Sequence, residues 1–497
     1  MNGMNVVIRA DASTHIGAGH VIRCLALAAA LREQGAQVRF LCRALPGHVF
    51  DLIRAQGYVL IPLPDAPDWH AGRDAQACLA ALENPVDWLV VDHYGLGAAW
   101  QQTLRTKAAH ILVIDDLANR AHACDLLLDQ NLDAAAHARH AALLPHACVT
   151  LLGPKFALLR PQFAAARQRL APREGQVRRV LISYGGMDAV GESLKALTAF
   201  SSLADLAGLV GVDVIAGRAN PHYQALSRLC ATLPQCVLHE HVDDMATLMA
   251  QADLALGAGG GTAWERCCLG VPALVTALAD NQAGPARALA EAGGQLYLGR
   301  AEALDAAAYA RILAGVLALP DLLRQLSQQA QTLVDGLGAQ RVVAAMRHVG
   351  LRLRAVTHAD SASLLSWRNH PETRRYAFNR AAISLGEHAN WLVASLDNPD
   401  RVMFIAEQGR EARGVLRFDF DGDTATISIH VVPGLSGQGW GAAILRVGEH
   451  WLAANRADIR RLRADVLGEN KASMQLFRSA GYTLSSAVFM KGVPAHA

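Results

Sequence analysis

The chain has 497 residues, 52% of them hydrophobic and 18% charged, with a formal net charge of +2. That length exceeds one ordinary core and predicts about three domains. The composition excludes a disordered chain, and the charge balance gives no electrostatic footing for nucleic acid or an acidic membrane. Nine scattered cysteines with no Cys-x-x-Cys spacing predict reduced, mostly buried thiols in a cytoplasmic protein, with no structural metal.

The first predicted strand, 5–9, is followed by a loop containing Gly17 and Gly19 and then by a helix with His20 in its first turn. Arg9 and Asp11 in this stretch are not a signal-peptide pattern. The apolar run 25–31 is too short to span a bilayer, so no membrane insertion is expected. A titratable imidazole at the carboxyl end of a strand lies where open α/β sheets bind ligands, and it can take a proton from water near neutral pH. Further strands are read at 38–42, 58–63, 88–92 and 111–115.

The polar, helix-breaking segment 170–175 marks a restart, with strands at 179–184, 212–216, 237–241, 254–257, 273–276 and 296–298. Short apolar strands alternating with helices predict parallel sheets covered on both faces. The expected organisation is two Rossmann-like lobes, 1–172 and 173–348, with a ligand cleft between them. Helices at 304–318 and 320–346 close the second lobe. A third unit, 351–497, changes pattern. It has a strand at 351–356, a helix at 359–369 and successive strands at 403–407, 414–420 and 425–431, which predict an antiparallel sheet in an α+β domain.

Two glycine loops stand out. Gly259-Gly260-Gly261-Thr262 follows a strand and opens a helix, so backbone N–H groups can approach a phosphate there. Glu265 either folds back on Thr262 as a capping box or accepts hydrogen bonds from ribose hydroxyls. In the third unit, Gly437, Gly439 and Gly441 lie between the strand ending at Val431-Val432 and a helix beginning near Trp440 and Ala442. Successive N–H groups there can form a nest around a pyrophosphate.

Several motifs carry a family resemblance in order along about residues 4–340. They are Arg9-Ala10-Asp11 with Ile16-Gly17-Ala18-Gly19-His20, Val91-Asp92-His93-Tyr94, Ile114-Asp115-Asp116, Ser183-Tyr184-Gly185-Gly186, the Gly259–Glu265 loop and Asp280-Asn281-Gln282. This stretch resembles the hydrolases that cleave UDP-2,4-diacetamido-2,4,6-trideoxy-β-L-altropyranose in pseudaminic acid biosynthesis, a family similar to GT-B glycosyltransferases. The resemblance implies a UDP-amino sugar substrate and His20 as the base that activates water. It places the UDP phosphates at Gly259, Gly260, Gly261 and Thr262, moves Glu265 towards the nucleotide, and sets Asn281 and Gln282 near the sugar and diphosphate. Gly17 and Gly19 form the substrate-side loop. Asp11 and Tyr94 are sugar-side candidates, with a loop-capping carboxylate and a packed aromatic as their alternatives. Asp115-Asp116 lacks a third metal ligand, and the family needs no metal.

The third unit resembles GNAT-family N-acetyltransferases, on its glycine loop and the later run Asn470-Lys471-Ala472-Ser473 to Phe477 and Gly481-Tyr482. The resemblance implies acetyl-CoA along Val431, Val432, Gly437, Gly439, Trp440, Gly441 and Ala442 and near Asn470. Trp367-Arg368-Asn369-His370-Pro371 resembles the acceptor segment of acetyltransferases acting on UDP-4-amino-4,6-dideoxy-N-acetyl-β-L-altrosamine. Trp367 and Arg368 are therefore acceptor candidates, with packing between helices as the alternative for Trp367. Three departures stand against the family pattern. Ser436 replaces the usual Arg or Gln, Phe477 replaces the tyrosine that protonates the thiolate, and Thr426 replaces a strand glutamate. His430 is then either a substitute base or a structural sheet histidine. Rival readings are a GT-B glycosyltransferase, or the equivalent enzyme for another nonulosonic acid such as legionaminic acid. The sequence leaves the oligomeric state open.

Overall fold

Runs of Val, Ile and Leu that are apolar on both faces form strands only where helices cover them on both sides, and the first 300 residues do this twice. In the computed structural model, which describes residues 3–203 and 211–485, seven parallel strands form the first sheet. They are β1 (Asn5–Ala10), β2 (Gln37–Arg43), β3 (Val59–Leu63), β4 (Val86–Asp92), β5 (Ala108–Ile114), β6 (Leu126–Asp129) and β7 (Val149–Leu152), in the order β3-β2-β1-β4-β5-β6-β7. β6 and β7 were not foreseen. Leu126-Leu127-Leu128 favours helix by propensity, and full burial beside β5 overrides it.

The second sheet is also parallel. It contains β8 (Arg179–Ser183), β9 (Gly211–Ile215), β10 (Cys236–His239), β11 (Leu254–Ala258), β12 (Ala273–Ala277) and β13 (Leu296–Arg300), ordered β10-β9-β8-β11-β12-β13. Strand order reverses between β1 and β4 in one sheet and between β8 and β11 in the other. Each reversal opens a crevice at the carboxyl ends of the strands, where ligands bind. The expected helix 320–346 is two helices, Pro320–Leu333 and Gly338–His348. Gly336 breaks it at φ +85, where a Cβ would stand 3.0 Å from Ala164.

The helix Pro161–Arg167 falls before the predicted boundary at 173, yet its apolar face packs on the second sheet. Phe163 is buried with Trp264 and Cys268, and Arg167 donates to the Cys268 and Val334 carbonyls at 2.8 Å each.

A second compact unit starts at Ala344. Its sheet runs β14 (Leu351–Ala355), β15 (Arg401–Gln408), β16 (Glu411–Asp421), β17 (Thr424–Val431) and β18 (Arg461–Arg463) in sequence order, antiparallel except for the β17–β18 pair. Residues 486–497 of the predicted third unit lie outside the described residues. β18 meets β17 only from Thr424 to Thr426, so β17 runs on to Val431 beyond it. The helix Trp440–Asn455 covers one face through Leu416, Phe418 and Ile427, and the helices Ser361–Asn369 and Leu385–Leu396 cover the other through Met403, Ile405 and Val415. No single helix among the described residues is long and apolar enough to cross a membrane. The expected α/β architecture, two Rossmann-like lobes followed by an α+β domain, is the one observed.

Candidate active sites

His20 is the second residue of the helix Gly19–Glu33, at the first crevice. Gly17 turns the chain at φ +75, with its N–H donating to the Ser13 carbonyl at 2.8 Å. A side chain at Gly17 or Gly19 would meet nothing within 4 Å, so this loop borders open space. Ala10 at the end of β1 lies opposite Asp92 at the end of β4, which brings a carboxylate to the imidazole.

His20 Nδ1 is 2.5 Å from Asp92 Oδ1. Arg23, one turn along the same helix, donates to Asp92 from Nε and from its second terminal nitrogen at 2.6 Å each. The Asp92 side chain is wholly buried and His20 is 11% exposed. Burial opposes the charge on Asp92, but Arg23 and His20 outweigh it and hold the carboxyl well below its usual range. An ionised carboxylate only accepts, so Nδ1 carries a proton towards Asp92, and Nε2 is the ring nitrogen turned away from it. Asp92 lies in the Val91-Asp92-His93-Tyr94 motif, which assigns it no role. The signal that could have found Asp92 is an acidic residue ending the strand beside β1.

Tyr94 packs edge-on against His20 at 4.8 Å between ring centroids. Burial and the nearby Asp116 raise its phenol well above the ordinary value, so it stays a hydroxyl donor. Asp11 is not free to meet a sugar. Arg9 and Arg43 donate to both its oxygens at 2.5–3.0 Å, and His93 Nε2 lies 3.4 Å away. Its role in the structure is to tie β1 to the end of β2. Asp115 is likewise engaged, by Arg120 and the Ala118 N–H, while Asp116 faces Arg23 at 3.4 Å.

At the second crevice, β11 leads into Gly259-Gly260-Gly261 and the helix Thr262–Leu269. Gly259 is required by packing, because a Cβ there would approach Ala286 at 3.1 Å and the Gln282 carbonyl at 3.3 Å. Gly261 faces open space, and at Gly260 only Gln282 Nε2 comes near, at 3.9 Å. First-turn N–H groups at such an end favour an anion. Gln282 is held by accepting from the Leu278 N–H at 3.0 Å, and Asn281 is exposed beside it in the first turn of the helix Asp280–Glu291. The structure thus brings the loop and the Asn281-Gln282 turn together.

The capping-box reading of Glu265 is corrected. Gly261 is the N-cap, Thr262 is already helical, and neither side chain closes a box. Glu265 is buried and instead accepts from Arg160, just before the helix Pro161–Arg167, at 3.2 Å. Burial raises the Glu265 pKa against the pull of Arg160. A lone arginine before a proline gave no sequence signal for this pair.

In the second unit, Gly437 and Gly439 have φ +77 and +83, and Gly439 is the N-cap of the helix Trp440–Asn455. A Cβ at Gly437 would meet nothing within 4 Å. These left-handed turns ahead of a long helix suit a pyrophosphate nest, and the splay beyond Thr426 leaves Val431 and Val432 beside it with no partner strand on the β18 side among the described residues. These residues fit acetyl-CoA. Gly441 packs near Leu476, and Ala442 follows in the first turn. Two predicted contacts are committed elsewhere. The Trp440 ring is buried against His348 and Arg413, and the Asn470 side chain caps the next helix by accepting from the Ser473 N–H at 3.1 Å.

Trp367 packs with Leu364 and Leu392 beneath the sheet, as its alternative had it. Arg368 donates to the Asn379 carbonyl at 2.6 Å from one terminal nitrogen, while the other is shielded from solvent without a hydrogen-bond partner among the described residues.

Comparison with known proteins follows this division. Residues 350–483 match the acetyltransferase (GNAT) domain family. The chain is 24% identical to the UDP-2,4-diacetamido-2,4,6-trideoxy-beta-L-altropyranose hydrolase of Campylobacter jejuni, over 58% of this chain and 97% of that protein. It is 32% identical to the spore coat polysaccharide biosynthesis protein SpsG of Bacillus subtilis, over 39% of this chain and 57% of that relative's length. Among solved structures, MurG of Acinetobacter baumannii aligns with 17% identity and a TM-score of 0.48, covering 69% of this chain and 99% of that one. The chain therefore joins a region similar to a nucleotide-sugar hydrolase to a GNAT acetyltransferase domain, the fusion read from its motifs.

Proposed function

We propose that the first unit hydrolyses UDP-2,4-diacetamido-2,4,6-trideoxy-β-L-altropyranose to UDP and free sugar, and that the GNAT domain acetylates the preceding UDP-4-amino sugar with acetyl-CoA. The observation that carries this reading is the His20–Asp92 contact at 2.5 Å, which fixes the ring with a basic nitrogen free. The similarity to the Campylobacter jejuni hydrolase over nearly its full length supports the choice of sugar.

In this mechanism His20 Nε2 takes a proton from water as the oxygen attacks the anomeric carbon. The C–O bond to the β-phosphate breaks with its electron pair, and the anomeric centre inverts. Asp92 stabilises the imidazolium that forms, and Arg23 keeps Asp92 ionised. The N–H groups of the Gly259–Thr262 loop stabilise the charge growing on the departing UDP. Tyr94 donates to the sugar from its hydroxyl. In the second unit, the Gly437–Ala442 loop and Val431-Val432 hold acetyl-CoA, whose thioester supplies the acetyl group, while Arg368 meets the acceptor.

Two measurements test this. Hydrolysis in ¹⁸O-water is expected to place the label on the sugar, and label in UDP would reject attack at carbon. NMR of the products from the UDP-4-amino sugar should show acetylation and then UDP loss when acetyl-CoA is present. UDP loss only from pre-acetylated substrate would reject the acetyl-transfer half.

A further inference from the structure

The strand β17 alternates faces. Ala425 and Ile427 lie in the core under the helix Trp440–Asn455. Thr426, Ser428 and His430 pair across β16 with Asp419, Arg417 and Val415, and so share the opposite face with them. Val415 belongs to the apolar cluster that holds Trp367, one residue from Arg368. His430 thus stands on the acceptor-side face of the sheet, two residues before Val432 and the start of the glycine loop.

Its environment is unusual for a structural histidine. Nε2 is shielded from solvent and has no hydrogen-bond partner among the described residues. A buried imidazole nitrogen left unpaired costs free energy unless something arrives to use it. The charged groups facing it are Arg368 from the helix Ser361–Asn369 and Arg417 from β16. Arg417 is paired with Asp419 at 2.9 Å, whereas one terminal nitrogen of Arg368 has no partner among the described residues. Among the described residues, one guanidinium nitrogen of Arg368 and the Nε2 of His430, which it faces, are therefore both unpaired. This pair suits an acceptor that brings an anion and an ammonium together, as a nucleoside-diphosphate amino sugar does.

We infer that His430 is the base of the acetyl transfer, its Nε2 taking the proton from the acceptor's ammonium group. The inference rests on the acetyl-transfer reading above. Thr426, on the same face, carries no carboxylate for this task. Burial first, then Arg368 and Arg417, lower the imidazole to about 4, so the ring is neutral at neutral pH with a lone pair on one nitrogen. The step balances. The ammonium gives one proton to Nε2, and the freed nitrogen pair attacks the thioester carbonyl carbon. The C–S bond then breaks with its pair on sulfur, and the thiolate takes the second amine proton. The imidazolium returns its proton to water, so one proton is released per turnover.

The test uses the full chain, His430→Gln and the UDP-4-amino sugar. Acetyl-CoA affinity, measured by calorimetry, should be unchanged and reports an intact fold. Turnover should fall about 100-fold. Wild-type kcat/KM should be flat from about pH 5.5 to the amine's own pKa, whereas the variant's should climb about tenfold per pH unit as free amine appears. In ¹⁵N-histidine spectra without acetyl-CoA, one ring signal should move when the amino sugar is added and be missing from the variant. A variant within threefold of wild type with the same flat profile, or a His430 signal unmoved by the amino sugar, overturns the role of His430 and leaves the acceptor assignment standing. A wild-type chain inert towards this amine overturns both.

Discussion

The two sites differ in what their polar groups do before substrate arrives. Around His20 the partners are already in place, with Asp92 held by Arg23 through two 2.6 Å bonds and the imidazole locked at 2.5 Å. Around His430, an imidazole nitrogen and an arginine nitrogen stand shielded and unpaired among the described residues. The nucleophile explains the contrast. Water brings almost no binding energy of its own, so the protein must orient its base in advance. An amino sugar nucleotide brings a diphosphate and a ring, so its own groups can complete the pocket. Leaving a shielded donor and a shielded acceptor unpaired is costly in the free protein, and the right acceptor relieves that cost.

The largest way to break this comparison is at the preassembled site. His20→Ala should reduce hydrolysis by about 10²–10⁴-fold with acetyl transfer untouched. Asp92→Asn should lower kcat by about 100-fold, because an amide can hold the ring in the wrong tautomer and no longer balances Arg23. Steady-state UDP release checks both. An Asp92→Asn enzyme at full speed would mean that His20 needs no orientation, and the contrast with His430 would disappear.

The parts of this arrangement that sequence exposed are those with local signatures. The strand–glycine–helix pattern located both crevices, because an apolar run, a turn and a helix start are encoded within about fifteen residues. His20 was legible for the same reason. Asp92 was not, because its meeting with His20 depends on β1 and β4 being neighbours, a fact of sheet order rather than of spacing. The Arg160–Glu265 pair joins residues 105 apart in the chain, and Thr262 gave a false capping signal because the helix begins one residue earlier, with Gly261 as its cap. Asp11 looked available because its partner Arg43 comes from a different strand.

The open site offers a smaller test. Arg368→Ala should raise KM for the UDP-4-amino sugar about tenfold, roughly 1.4 kcal/mol, with acetyl-CoA affinity unchanged. Among the described residues its side chain donates one hydrogen bond, to the Asn379 carbonyl, so folding stability should change by less than about 1 kcal/mol. Kinetics and thermal denaturation read the two effects separately. A large stability loss with KM unchanged would make Arg368 a structural residue and bring the second site closer to the first.

The smallest effect on turnover is expected at Asp115, which separates structural carboxylates of the first unit from the one that serves His20. Asp115 is fully buried and lies 2.8 Å from Arg120. Burial opposes its charge, but His122, Arg120 and the Ala118 N–H prevail and lower its carboxyl to about 2. Asp115→Asn should leave hydrolysis within about twofold while costing roughly 2 kcal/mol of stability at pH 7. The sign follows from the depressed value. The ionised carboxylate stabilises the fold fully above the unfolded-state pKa near 3.9, and this contribution is lost as pH falls towards 2. Denaturant unfolding of wild type and variant should therefore differ at pH 7, begin to converge below about pH 4 and meet near pH 2. A gap that persists unchanged into acid would assign the stabilisation to shape and hydrogen bonding. A fall in turnover comparable to that of Asp92→Asn would extend the preassembled network from the His20 contact to the end of β5.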